Sequence, residues 1–130
     1  MNEERLYCIR GAVCSENTAD SITEQVGALC RTLFEQNDIS VDRVVSIQFT
    51  VTPDLDALNP ATALRRADTG FETSAISLFC AQEPVVQGML PRVVRVMVQC
   101  YGKSGMEVRP AYLNGAEALR PDIAARNKRR

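Results

Sequence analysis

Val93-Val94-Arg95-Val96-Met97-Val98, running on to Tyr101, is an apolar and largely β-branched stretch interrupted by one guanidinium. Apart from that arginine it reads as a fully buried strand, which needs other elements packed over its sheet. The same run therefore sets the fold class and poses a chemical question. A lone buried charge is costly, so Arg95 either meets a carboxylate or faces a cavity that receives an anion. An arginine on the wet face of a sheet is the plainer alternative.

Outward from this strand, the chain alternates between the two periodicities. Leu6–Val13 sets Tyr7, Ile9, Gly11 and Val13 on one face and Cys8, Arg10 and Ala12 on the other, a strand pattern. From Ala19 to Asn37 the apolar positions Ile22, Val26, Leu29, Cys30, Leu33 and Phe34 follow helical spacing, with Ser21 and Glu24 as a candidate capping box and a first turn starting as early as Asn17 or Thr18. Val44–Val51 is a strand closed by the turn residues Thr52-Pro53-Asp54. Asn59-Pro60 has the form of an N-cap followed by a first-turn proline, opening a short helix to Asp68 that Gly70 ends. Ala75–Ala81 and Val108–Leu113 complete the strands, and Pro84–Leu90 reads as a helical turn. The order β-α-β-α-β-α-β-β predicts a single α/β or α+β domain with a mixed sheet covered by helices.

Arg10 raises the same question as Arg95, with Gly11 and Ala12 leaving room beside it, and Glu83 is the candidate counter-charge. Were the three to share a site, two positive charges against one negative would leave a cavity suited to a small carboxylate.

Composition narrows the chemistry. The chain has 130 residues and contains neither histidine nor tryptophan, which removes Ser-His-Asp and Cys-His nucleophile pairs and the commonest zinc ligand. The formal net charge is −1, and four of the basic residues, Arg126, Lys128, Arg129 and Arg130, lie at the C-terminal end. An acidic body with a short basic tail does not suit nucleic acid. No apolar stretch approaches the roughly 20 residues of a membrane span. Five cysteines, odd in number and without a C-x-x-C pair, suggest reduced thiols and a cytoplasmic protein.

Taken in order, Ile9-Arg10-Gly11-Ala12, Thr52-Pro53-Asp54-Leu55 with Pro60-Ala61 and Arg65, Cys80-Ala81-Gln82-Glu83, Arg95-Val96-Met97, Tyr112-Leu113 and Leu119-Arg120-Pro121-Asp122 resemble the AroH class of chorismate mutases, the small type that is not all-helical. The resemblance spans nearly the whole chain and includes the twelve-residue step from Glu83 to Arg95 and the eight-residue step from Tyr112 to Arg120. It implies a homotrimeric pseudo-α/β-barrel with active sites between subunits. The implied reaction is the rearrangement of chorismate to prephenate with no cofactor, no metal and no covalent intermediate.

Carried over by residue, Arg95 would donate to the substrate ether oxygen and a carboxylate. Arg10 and Tyr112 would hold the side-chain carboxylate, and Glu83 with the Cys80 region would meet the ring hydroxyl. Arg65 would lie near the mouth, Asn59, Ala61 and Thr62 would line the cleft, and Leu119 and Arg120 would partly cover it. Asn59 and Thr62 depart from the aromatic and basic residues often found there, which bears on affinity more than on chemistry. On the residues alone, Cys80 reads equally as a small buried hydrophobe and Tyr112 as a core aromatic. The domain is expected over residues 1–121, with 122–130 a flexible tail. Two other functions fit the same pattern: a non-catalytic trimer that binds small carboxylates, and an enamine deaminase like those of the Rid/YjgF family on a similar barrel.

Overall fold

The computed structural model describes residues 3–128. Its elements are β1 (Glu4–Cys14), α1 (Ala19–Gln36), β2 (Val44–Val51), α2 (Pro60–Arg66), β3 (Ser77–Gln82), β4 (Val93–Lys103), β5 (Ala111–Leu113) and α3 (Pro121–Lys128), with 3-10 turns at Val41–Arg43 and Ala116–Leu119. The strands form one sheet in the order β3-β2-β4-β1-β5. The valine-rich strand β4 is central and antiparallel to both neighbours, while β3 runs parallel to β2 and β5 parallel to β1. This is a mixed α+β single domain, as the alternating periodicities predict.

Alternation along each strand divides the sheet into two unlike faces. One carries Ile9 and Val13, Ile47 and Phe49, and Val94, Val96 and Val98, and buries them under α1 and α2. Here α1 contributes Ile22, Val26, Leu29, Cys30, Leu33 and Phe34, the stripe expected from helical spacing. The other face carries Arg10, Gln48, Thr50, Arg95 and Met97. It is covered at one end, where Ala116 and Ile123 pack on Ala12, Val93 and Tyr112.

Gly11 sets how closely β5 can approach β1. A Cβ there would lie 2.8 Å from the Ala111 carbonyl oxygen and 3.1 Å from Leu29 Cδ1. Because β5 pairs only through Gly11, Ala12 and Val13, Gly11→Ala is expected to cost about 1–3 kcal/mol, measurable as a lower urea midpoint with an unchanged slope.

Several local expectations need correction. Thr18, not Ser21, caps α1: its side chain accepts from the Ser21 amide at 3.1 Å, so Ser21 occupies the place assigned to the glutamate of a capping box. Helix α2 stops at Arg66 with Ala67 as C-cap, leaving Gly70 in the following loop at φ 78°. Pro84–Leu90 is not helical. Val85 and Val86 are exposed, so there is no apolar face to bury, and a single turn closes through the Met89 amide on the Val86 carbonyl at 3.0 Å with Gly88 at φ 81°. The last strand begins at Ala111, directly after Pro110, which has no amide to donate.

The third helix lies instead at the C-terminal end, where a flexible tail was expected from residue 122. Pro121 occupies its first position, Ile123 is buried, and the Asn127 side chain donates to the Pro110 carbonyl at 2.8 Å. Arg129 and Arg130 fall outside the described residues. No helix is long and apolar enough to cross a membrane among the described residues.

Candidate active site

Cross-strand register brings the site together on the open face of the sheet. One transverse row reads Ala81, Thr50, Arg95, Ala12 and Tyr112 across β3, β2, β4, β1 and β5. The next reads Phe79, Gln48, Met97 and Arg10. Arg10 and Arg95 are therefore diagonal neighbours on adjacent strands, roughly 7–8 Å apart at the backbone. The small side chains of Ala12 and Ala81 leave space above the first row. The result is a hollow of about 210 Å³ with Arg10, Thr50, Arg95 and Tyr112 among its walls and Gln48 and Met97 on its floor.

Glu83 closes this hollow electrostatically. Its backbone amide donates to the Val51 carbonyl at 2.8 Å, which continues the β3 ladder by one bond and fixes where the side chain starts. Arg95 Nε lies 3.1 Å from Glu83 Oε2, and the Thr50 hydroxyl donates to the same oxygen at 2.6 Å. The carboxylate side chain is only 14% exposed while that of Arg95 is 47% exposed, so the acid sits behind the guanidinium, and Arg95 rather than Glu83 lines the hollow. Arg10 and Arg95 both line the hollow and no acid among the described residues lines it, so positive charge faces the opening.

Tyr112 is buried, and its side chain lies near enough to Arg120 to help hold that guanidinium charged, after the larger effect of Asp122. Arg120 in turn forms a two-point contact with Asp122, Nε to Oδ1 at 3.1 Å and Nη2 to Oδ2 at 2.9 Å. Those bonds hold the Asp122 carboxyl well down, at about 2. Leu119 packs beside Tyr112 in the smaller apolar cluster. The C-terminal segment thus packs beside Tyr112, one of the residues lining the hollow, while Leu119 and Arg120 do not themselves line it.

Other expected site residues lie elsewhere in the chain. Cys80 is in register with Phe49, so its thiol faces the helical layer and packs against the main core, behind the sheet from Arg95. Burial pushes that thiol up, and it pushes the fully buried Cys30 up to about 12, so neither supplies a thiolate at neutral pH. Asn59 caps α2 by accepting from the Ala61 amide at 2.8 Å. Arg65 donates to the carbonyls of Thr73 and of Ile76, the latter at 2.6 Å, and so ties down the loop in which Phe71 meets Phe34 edge-on at 5.0 Å. Asn59, Ala61, Thr62 and Arg65 do not line the Arg95 hollow of their own chain.

Thr50, Gln48 and Met97 are site residues that sequence reasoning did not single out. The available signal was alternation in β2, which places Gln48 and Thr50 opposite the buried Ile47 and Phe49. The Thr52-Pro53-Asp54 segment also proves structural. Asp54 accepts from the Arg92 amide with both oxygens, at 3.1 and 3.0 Å, and so stabilises the left-handed Arg92 backbone at φ 53° directly before β4. That clamp fixes where Arg95 enters the sheet.

A larger hollow of about 520 Å³ lies near Glu4, Arg43, Tyr101 and Lys103. There Arg43 is already paired with Glu4 and stacked at 5.4 Å over Tyr101. The Arg95 hollow is the better anion receptor, because of its two cations only Arg95 is paired with an acid among the described residues.

Comparison with known proteins identifies the family. The family model described as chorismate mutase type I matches residues 6–123. The chain is 36% identical over 118 residues to chorismate mutase AroH of Thermus thermophilus, covering 88% of this chain and 93% of that protein. It is 32% identical over 118 residues to chorismate mutase AroH of Bacillus subtilis (strain 168), covering 89% and 91% respectively. A solved chorismate mutase from Clostridium thermocellum superimposes with a TM-score of 0.78 at 38% identity, covering 87% of this chain and 99% of that one.

Proposed function

The chain belongs to the chorismate mutase type I family, and from that premise we propose that its isomerisation of chorismate to prephenate takes place in the hollow between Arg10, Glu83, Arg95 and Tyr112. The observation that carries this reading is the pairing of Arg95 Nε with Glu83 at 3.1 Å, which leaves both terminal guanidinium nitrogens for a ligand. Isomerase activity on chorismate belongs to the biosynthesis of aromatic amino acids.

The reaction is an intramolecular Claisen rearrangement. The ether C–O bond breaks ahead of C–C bond formation, so negative charge gathers on the enolpyruvyl oxygen and positive charge on the ring. Arg95 donates to that oxygen and to a substrate carboxylate, meeting more negative charge in the transition state than in the ground state. Arg10, with Tyr112 beside it, holds the side-chain carboxylate and keeps the substrate in its folded, diaxial form. Glu83 accepts the ring hydroxyl and faces the positive end of the dipole. Cys80 contributes by backbone placement of the Ala81–Glu83 segment. No proton moves and no nucleophile forms, so a histidine-free chain is adequate for this chemistry.

We further propose a cytoplasmic homotrimer closed into a pseudo-α/β-barrel. In support, the open sheet face exposes Phe79 to 67% and leaves the hollow unroofed on one side. A neighbouring subunit would cover that side with its Asn59, Ala61, Thr62 and Arg65, which lie away from the hollow of their own chain. Leu119 and Arg120 would complete the rim.

Purified protein mixed with chorismate should abolish the diene absorbance faster than buffer, and light scattering should give a mass three times that of the chain. Turnover at the buffer rate, with chorismate binding detected by calorimetry, would establish a non-catalytic carboxylate-binding protein instead. A monomer with full activity would overturn the shared site.

A further inference from the structure

The Glu83 carboxylate is loaded unevenly. Arg95 Nε at 3.1 Å and the Thr50 hydroxyl at 2.6 Å both engage Oε2, and Oε1 has no partner among the described residues. A carboxylate only accepts, so the Thr50 proton is committed to Glu83 and the hydroxyl is no donor to a ligand in this arrangement. Thr50 is fixed by the sheet: it lies opposite Arg95 across β2 and β4 and opposite Ala81 across β2 and β3. As a β-branched residue in a strand it has a restricted χ1, which makes it a stiff anchor.

We propose that Thr50 is a positioning residue for the isomerisation. It pins Glu83 by Oε2, so that Oε1 faces the substrate hydroxyl and Arg95, held through Nε, keeps its two terminal nitrogens aimed at the ether oxygen and carboxylate. The inference rests on the reading of the hollow as the chorismate site. Without the hydroxyl, the Glu83 side chain can rotate and take Arg95 with it. Misplacement on the ångström scale is enough to lower a rate that depends on alignment. The loss belongs in kcat, because Arg10 and Tyr112 bind the substrate independently of Glu83.

Thr50→Val removes the hydroxyl and keeps the shape, while Thr50→Ser keeps the hydroxyl. The valine variant is expected to lose about tenfold in kcat with KM within about twofold of the parent, and the serine variant to stay within about threefold of it. In a Glu83→Gln background, adding Thr50→Val is expected to cost less than about twofold more, since the group it positions has changed already. Equal turnover by Thr50→Val and the parent would overturn the inference while leaving the site intact. So would an equal loss in Thr50→Ser, which would assign the effect to packing, or a loss confined to KM. Should the valine variant fail to fold, Thr50→Ser and Thr50→Ala give the same contrast. Failure of the site itself would look different: Arg95→Lys would then turn over chorismate at the parent rate.

Discussion

Replacing Arg95 by lysine is expected to lower kcat for chorismate by about two to three orders of magnitude, the cost of losing one preorganised donor to developing charge, roughly 2.7–4 kcal/mol of barrier. Arg95 spends Nε on Glu83 at 3.1 Å and keeps two coplanar nitrogens for the ether oxygen and a carboxylate. A lysine carries a single ammonium on a flexible stem and cannot hold the acid and present a planar fork at once. Charge is conserved in this variant, so a site that needed only net positive potential would tolerate it. Stability should change little, because the side chain is 47% exposed and an ion pair of that exposure contributes little after solvent screening. Initial rates together with a thermal melt separate the two effects. Parental turnover would show that Arg95 is not the transition-state donor.

Phe49→Ala is expected to cost about 3–5 kcal/mol of folding stability, a large share of the roughly 5–15 kcal/mol available to a domain. Phe49 is 1% exposed and lies between Val96 of β4 and Cys80 of β3 in the central core. Deleting its ring leaves a cavity directly behind the row that carries Thr50 and Arg95. Urea unfolding should show the midpoint falling strongly, and activity per folded molecule should fall less than the folded fraction. A shift below about 1 kcal/mol would mean that the core collapses to fill the gap.

The layered fold was legible because it follows from periodicity. The valine run of β4, the alternation of β1 and the stripe of α1 each specify a buried face, and the sheet and helices assemble where those faces demand. Features fixed by a few contacts were less legible. Pro84–Leu90 has a proline at the start that suits a first helical turn, yet Val85 and Val86 have nothing to pack against and the segment settles for one β-turn. Helix α3 has the opposite history: a polar segment is held by Ile123 inserting against Ala12 and Tyr112, a contact between ends of the chain.

The same distinction governs the site. Arg95, Arg10 and Glu83 stand out because charges interrupt apolar or strand-like segments, and register then places them on one face. Thr50 gave no such signal, since a threonine is at home in any strand and its partner becomes visible only once β2 and β3 are aligned. Cys80 shows the limit of carrying a motif across by residue type. Its position beside Glu83 in sequence is correct, but strand alternation turns its thiol to the far side of the sheet. Asn59 and Arg65 likewise have complete local roles, capping α2 and holding the loop before β3, and neither lines the hollow of its own chain.

The central claim is that chorismate rearranges against Arg95, and its most direct test is a crystal structure of the protein with a stable bicyclic ether dicarboxylate shaped like the folded transition state. The ether oxygen should lie within hydrogen-bond distance of an Arg95 terminal nitrogen, with one carboxylate on Arg10 and the ring hydroxyl on Glu83. A ligand seated instead in the hollow by Arg43 and Tyr101, or one with its ether oxygen turned away from Arg95, would contradict the account.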